Sequence, residues 1–204
     1  PIRLTIDRME EKVFEEETIP INDLAKFLNR INTQVDTLER LVNQFRSFSR
    51  EPEVNLKEIP LLELLEGIAE DMKSKMKTNI SCSGTIITDP YLLSQILLNI
   101  WKNSLEAGAD TIDVKCKKSE EKIDLCIKDN GSGLEKKDIE QVWLPYFTLK
   151  KDGTGLGLPV VKKLVEALNG KVSLISETVG PQRGLTVILS FILASQGDQK
   201  WQEE

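Results

Sequence analysis

Hydrophobic positions along the chain change period several times, and each change marks an element. Ile2, Ile6, Met9 and Val13 recur at helical spacing, which predicts a short helix over 1–14. The polar stretch Glu15-Glu16-Glu17-Thr18-Ile19-Pro20 interrupts it. From Ile21 to Ser49 the apolar residues Leu24, Leu28, Ile31, Val35, Leu38, Val42 and Phe45 alternate steps of four and three. That spacing is a heptad seam, and such a seam wants a partner helix along its length. An amphipathic helix laid on its own globular domain would show a similar stripe.

Pro52 ends this pattern, and from Asn55 onward the chain reads as mixed α/β. A helix is expected over 61–75, then short strands over 80–83 and 85–88. Asp89-Pro90 is a helix cap followed by a first-turn proline, opening an apolar helix over 91–107. Two alternating segments, 111–117 and 122–128, read as an antiparallel pair around Lys118-Ser119-Glu120-Glu121. After a glycine-punctuated stretch comes a helix over 158–168, stopped by Asn169-Gly170, and strands over 171–177 and 185–193. Residues 196–204 read as a polar tail. The expected organisation is a helical segment over 1–52, an α/β domain over 53–195 and the tail.

Composition narrows the chemistry. The net charge of −6 gives a nucleic-acid role a poor start, although a few local groups suffice to hold phosphate. There is no histidine, so the commonest general base and metal ligand is absent. Cys82, Cys116 and Cys126 show no CxxC spacing, which predicts three reduced thiols in a cytosolic protein. Cys116 alternates with Ile112 and Val114 and is expected in the core. No apolar run reaches the roughly 20 residues of a bilayer span, and no signal peptide opens the sequence.

Three groups of residues carry candidate chemistry. Asn99 and Asn103 stand four apart on one helix, so both amides share a face, where they could serve structure or hold a Mg²⁺ ion beside phosphates. Asp129-Asn130-Gly131-Ser132-Gly133 follows a strand; it is either a tight turn or a carboxylate placed to accept an exocyclic amine such as that of adenine. Gly153-Thr154-Gly155-Leu156-Gly157-Leu158 leads into a helix, where free backbone N–H groups and the helix dipole suit phosphate. The preceding residues do not read as a strand, which disfavours a dinucleotide fold, and the Gly-Lys-Ser/Thr of a P-loop is missing.

In this order the three groups resemble the N box and the two glycine boxes of the Bergerat ATPase superfamily, which includes gyrase B, MutL, the ninety-kilodalton heat-shock chaperones and sensor histidine kinases. Pro145-Tyr146-Phe147-Thr148 resembles the aromatic box between them, and Gly184-Leu185-Thr186 the last glycine segment, with Leu185 where the family usually has threonine. The hydrolytic members carry a glutamate base where this chain has Asn99, so the chain resembles the kinase branch. Pro1-Ile2-Arg3-Leu4 and the segment 41–50 resemble the dimerisation helices of nitrogen-regulation type sensor kinases, without the phosphoacceptor histidine box. A sequence beginning just past that box would explain the difference.

The resemblance implies an α+β fold, a two-layer α/β sandwich preceded by a helical hairpin. It implies ATP and Mg²⁺ as cofactors, with Asp129 on the adenine amine and Asn103 and Asn99 on the metal. Gly131, Gly133, Gly153, Thr154, Gly155, Leu156, Gly157, Leu158 and Thr186 would surround the nucleotide. Tyr146 and Phe147 would anchor the lid; Lys150 or Lys151 would add a phosphate contact or serve only as a solvated loop charge. The implied reaction moves the γ-phosphoryl group of ATP to a histidine outside this sequence, then to an aspartate of a response regulator receiver domain. The implied partners are that receiver and a second kinase chain through the helical hairpin, with no nucleic acid and no membrane contact within this sequence, which could be the cytoplasmic part of a membrane-anchored sensor. A degenerate nucleotide-binding signalling module and a Bergerat-fold serine kinase or ATPase are the alternatives.

Overall fold

The computed structural model describes residues 2–16, 21–49, 51–150 and 153–192. The chain divides into two compact units, Pro1–Arg50 and Glu51–Glu204. The first holds helices α1 (Ile2–Glu16) and α2 (Ile21–Ser49). Asp23, in the first turn of α2, pairs with Lys12 of α1 and, at 3.1 Å, with Lys26. These cations hold the Asp23 carboxyl below its ordinary range. Leu28, Val35, Leu38 and Val42 of the heptad seam are exposed, whereas Leu24 and Ile31 are half-buried. The Phe45 side chain, the residues of the break over 17–20 and the tail over 196–204 lie outside the described residues.

The second unit opens with β1 (Lys57–Pro60), α3 (Leu61–Met72), β2 (Lys77–Ser81) and β3 (Thr85–Thr88). It continues through α4 (Pro90–Glu106), β4 (Thr111–Lys118), β5 (Lys122–Asp129), α5 (Gly157–Ala167), β6 (Lys171–Glu177) and β7 (Gly184–Ile192). Five strands form one sheet in the order β2-β4-β5-β7-β6, and β1 and β3 form a separate antiparallel pair. Within the large sheet only the β2–β4 pairing is parallel. The alternation read from sequence thus becomes a one-sided sheet. Ile112, Val114, Ile123, Leu125, Ile127, Val187, Leu189 and Phe191 are buried on its inner face. Lys115, Lys117, Lys128 and Ser190 fall on the alternate, outer face.

The inner face packs on the apolar stripes of the helices: Leu61, Leu65 and Ile68 of α3; Leu93, Ile96, Leu97, Ile100 and Trp101 of α4; Val160, Val161, Leu164 and Val165 of α5. The result is a helical layer on a sheet layer, as expected. β1 was not anticipated, because four residues ending in proline show no clean alternation. β2 begins at Lys77, three residues before the expected start, because Thr78 and Ile80 face inward while the charged and polar residues between them do not.

α4 owes its position to Asp89. Its Oδ1 accepts from the N–H groups of Tyr91 (2.9 Å) and Leu92 (3.0 Å), and its Oδ2 from that of Asn55 (2.7 Å). Burial pushes this carboxyl up, but the three backbone donors and Lys57 outweigh it and leave it below the ordinary carboxylate range. One side chain thereby caps the helix and ties it to the segment entering β1.

The expectation of three reduced thiols is corrected. Cys82 and Cys116 are joined by a disulfide, and Cys126 is free. The spacing gave no sign of this, because strand pairing brings together residues 34 apart in sequence. Cys116 is accordingly half-buried at the end of its strand rather than in the core.

Candidate nucleotide site

β5 ends at Asp129, whose side chain is buried at 4% exposure. Its position in the strand turns the carboxylate to the inner face, toward α4. Oδ2 accepts from the hydroxyl of Ser104 on α4 (2.8 Å). Oδ1 accepts from the N–H groups of Gly131 (2.9 Å) and Leu185 (3.0 Å). A buried carboxyl without hydrogen-bond partners would be costly, and these three contacts supply them. Gly184, just before the Leu185 donor, has φ +134°, and a Cβ there would lie 1.9 Å from the Asp129 carbonyl oxygen. Only glycine lets β7 pass that close to the end of β5.

Neither Ser104 nor Leu185 stood out in the sequence as support for Asp129. Ser104 sits in an apolar stripe directly after Asn103, and a hydroxyl at a core position was the available signal. The Leu185 contribution is a backbone N–H, which no side-chain reasoning reveals. Asn130 was also unassigned: its Oδ1 accepts from the N–H groups of Asp110 (3.0 Å) and Thr111 (3.1 Å), and its Nδ2 donates to Asp110 (2.7 Å). Those contacts lock the turn that carries Asp129. Gly131 packs beside Ala107 at the end of α4, and Gly133 against the carbonyl of Glu177 at the end of β6, so the first glycine box is wedged between two elements.

Asn103 lies one helical position from Ser104 and faces the start of α5. A Cβ on Gly157 would stand 3.3 Å from Asn103 Nδ2 and 3.4 Å from its Oδ1. Among the described residues the half-buried Asn103 amide makes no hydrogen bond. Asn99, one turn earlier, donates from Nδ2 to the carbonyl of Gln95 (2.9 Å), which leaves its Oδ1 open. At α5 the residue before the first turn, Leu156, is buried and supplies no side-chain cap. The first-turn N–H groups of Gly157 and Leu158 are therefore without a side-chain acceptor, and Pro159 offers none. The Asn103 amide and the uncapped start of α5 therefore face each other, with Asn99 one helical turn away along α4.

The segment ahead of α5 folds back on itself. Tyr146 donates its N–H to the Gly155 carbonyl (3.0 Å). Gly155 has φ +66°, and a Cβ there would fall 2.4 Å from the Tyr146 carbonyl carbon. Thr148 Oγ1 accepts from the Lys150 N–H (3.1 Å), Gly153 packs against that threonine, and Thr154 Oγ1 accepts from the Leu156 N–H (3.4 Å). Lys150 Nζ pairs with Glu106 of α4 at 2.7 Å. The expectation that Tyr146 anchors this loop through its side chain is corrected, since the residue is 62% exposed and the anchoring runs through its backbone. Phe147 is half-buried. Lys151 lies outside the described residues.

One residue does not belong with the rest. Thr186 pairs with Lys128 on the outer face of the sheet, opposite to the face of Asp129. Strand alternation puts Leu185 on the site side instead, so Thr186 is withdrawn as a nucleotide contact.

Residues 88–195, just over half of the chain, match the family described as histidine kinase-, DNA gyrase B- and HSP90-like ATPases. The chain belongs to this ATPase family. The matched region of the ATPase begins at the α4 cap and includes Asp129, both asparagines and both glycine boxes. Sensor histidine kinase ZraS of Salmonella typhimurium is 28% identical over 172 residues, which cover 79% of this chain and 37% of ZraS. The chain thus spans little more than a third of that relative.

The fold of full-length ShkA, crystallised with AMPPNP, is similar with a TM-score of 0.73 and 22% identity, covering 88% of this chain and 41% of ShkA. Histidine kinase ThkA, in complex with response regulator protein TrrA, gives a TM-score of 0.72 at 19% identity, covering 95% of this chain and 59% of ThkA. These likenesses show that this chain has the fold of histidine kinase catalytic domains. Among the described residues no cluster of acidic, cysteine or histidine side chains could hold a metal alone, and no helix is long and apolar enough to cross a membrane.

Proposed function

We propose that this chain is the ATP-binding catalytic part of a two-component sensor histidine kinase. It would transfer the γ-phosphoryl group of ATP to a histidine outside this sequence, for relay to an aspartate of a response regulator receiver. The observation that carries this reading is the pairing of a buried carboxylate, Asp129, with the unpartnered Asn103 amide facing an uncapped helix start. In this reading Asp129 accepts the adenine amine and discriminates against bases that lack a donor there. Ser104, Gly131 and Leu185 hold that carboxylate in place and aimed. The Gly157 and Leu158 N–H groups meet the phosphates, with Thr154, Gly155 and Leu156 holding the loop around them.

Mg²⁺ suits the residues present. Asn103 and Asn99 offer neutral amide oxygens that lack protein donors, and a hard cation that keeps phosphate and water oxygens in its shell needs few protein ligands. When bound, the ion would neutralise charge on the β- and γ-phosphates. No carboxylate stands at position 99 to activate water, which favours transfer over hydrolysis. Lys150 pairs with Glu106 and lies in the loop ahead of α5, so it is a cation that could add a phosphate contact.

The exposed apolar seam of α2 supports a second copy of the chain as partner. ThkA's complex with TrrA supports a receiver domain as the other partner. We place the domain in the cytoplasm, where ATP and such receivers meet. The decisive experiment incubates the chain and Mg²⁺ with γ-labelled ATP, alone and with a helical hairpin bearing a histidine. Acid-labile label on the hairpin histidine is expected. Nucleotide binding with no transfer would assign a signalling module instead, and acid-stable label on serine a different kinase class.

A further inference from the structure

The disulfide takes no part in the nucleotide site, yet its placement is specific. Ser81 lies opposite Lys115 in the parallel β2–β4 pairing, so the next opposed positions are Cys82 and Cys116. Their Cα atoms are 4.8 Å apart, within the range a disulfide spans without backbone movement. β2 is an edge strand bonded only to β4, so nothing else in the sheet holds its far end. Both cysteines are half-buried, which leaves their sulfurs within reach of a small thiol or disulfide. Cys126 cannot compete for them. It sits on the outer face opposite Lys115, whereas Cys116 pairs with the buried, inward-facing Leu125.

We propose that Cys82 and Cys116 form a reversible thiol–disulfide site, a redox-sensitive brace that fastens the edge strand β2 to the sheet. The co-reactant is a low-molecular-weight disulfide such as oxidised glutathione. A thiolate of the pair attacks one sulfur of that disulfide; the small S–S bond breaks and one small thiolate leaves. The second protein thiolate then attacks the mixed disulfide, forming the Cys82–Cys116 bond and expelling the other small thiolate. The protein gives up two electrons and two protons, and the small molecule departs as two thiols. Reduction by excess thiol runs the same steps backward.

The brace closes a chain segment containing β3 and α4, so oxidation restricts the unfolded chain over that whole stretch. It lies away from the nucleotide groups. Ile112 is the β4 residue opposite Asp129, and Cys116 is four positions further along, about 13 Å at strand rise. Oxidation is therefore expected to raise stability and leave nucleotide binding alone.

The test equilibrates the full chain with oxidised glutathione or with excess dithiothreitol, then reads intact mass, a non-reduced peptide map and the melting temperature. The oxidised protein is expected to be lighter by two hydrogens, with peptides containing residues 82 and 116 linked. Its Tm should be higher by roughly 5–15 °C, and its ATP Kd within about twofold of the reduced form. C82S and C116S should abolish the mass and Tm differences, while C126S keeps both. Three titratable thiols after oxidation, or a bridge that involves Cys126, would overturn the proposal. The mass and peptide map use the unaltered chain, so they decide the matter even where a serine variant fails to fold.

Discussion

Replacing Asp129 by asparagine should weaken nucleotide binding strongly while sparing the fold. The geometry says why. Oδ1 receives two backbone N–H groups, from Gly131 and Leu185, and Oδ2 receives the Ser104 hydroxyl. An asparagine can turn its oxygen to the two N–H donors and its amide nitrogen to Ser104. The serine then becomes the acceptor and swings its own proton onto the Ile100 carbonyl, already 3.1 Å away. Every buried polar group keeps a partner. The cost is that of weakening charge-assisted bonds to neutral ones, about 1–2 kcal/mol. Alanine behaves differently. It strands two buried N–H groups, at about 1–3 kcal/mol each, so Asp129→Ala should lose about 2–6 kcal/mol.

Affinity should separate from stability. In Asp129→Asn the adenine amine meets another N–H donor in place of a carboxylate. Loss of that bond, with the donor left unpaired, should cost about 2–3 kcal/mol, or roughly 30–150-fold in Kd. Urea titration and calorimetry with Mg·ATP measure the two quantities on the same samples. An asparagine variant that binds ATP within about threefold of the parent, or that is as destabilised as the alanine variant, would refute the reasoning.

Three further outcomes follow from the same structure. Gly155→Ala places a methyl group 2.4 Å from the Tyr146 carbonyl carbon in a left-handed conformation, so ATP affinity should fall at least tenfold while the urea midpoint moves little; equilibrium dialysis and a urea melt check this. Asp89→Ala should lose about 1–2 kcal/mol at neutral pH by uncapping α4. Because the native carboxyl titrates below its unfolded value, that stabilisation is complete above about pH 4–5 and drains away as pH falls through the native pKa; the gap between parent and variant in denaturant melts should therefore narrow toward pH 3. Lys150→Ala removes an ion pair whose partners are each more than a third exposed, so stability should change by less than about 0.5 kcal/mol, whereas calorimetry should show ATP bound roughly three- to tenfold more weakly and AMP unchanged.

Element types were legible wherever periodicity was long or a cap was explicit. The bounds of α2, β3 and β6 match the expectation to the residue, and Asp89-Pro90 marks the start of α4 in the sequence itself. The glycine boxes and both asparagines could be picked out in order through their resemblance to the ATPase family, because each box is a short run of neighbouring residues. What sequence could not supply was any contact whose two ends are far apart. The Cys82–Cys116 bond, the Ser104 hydroxyl on Asp129 and the Leu185 N–H each depend on strand register or helix rotation.

Thr186 shows the limit most sharply. The family resemblance implies it as a site residue, yet strand alternation sets its neighbour Leu185 on the site side and Thr186 on the outer face. A shift of one position along a strand reverses the face, and local composition does not encode it. The chain by itself determined which elements form and which residue types could meet a nucleotide. Only the tertiary structure decided which of them face one another, because facing is fixed by packing an inner sheet surface against helices rather than by any property of a single segment.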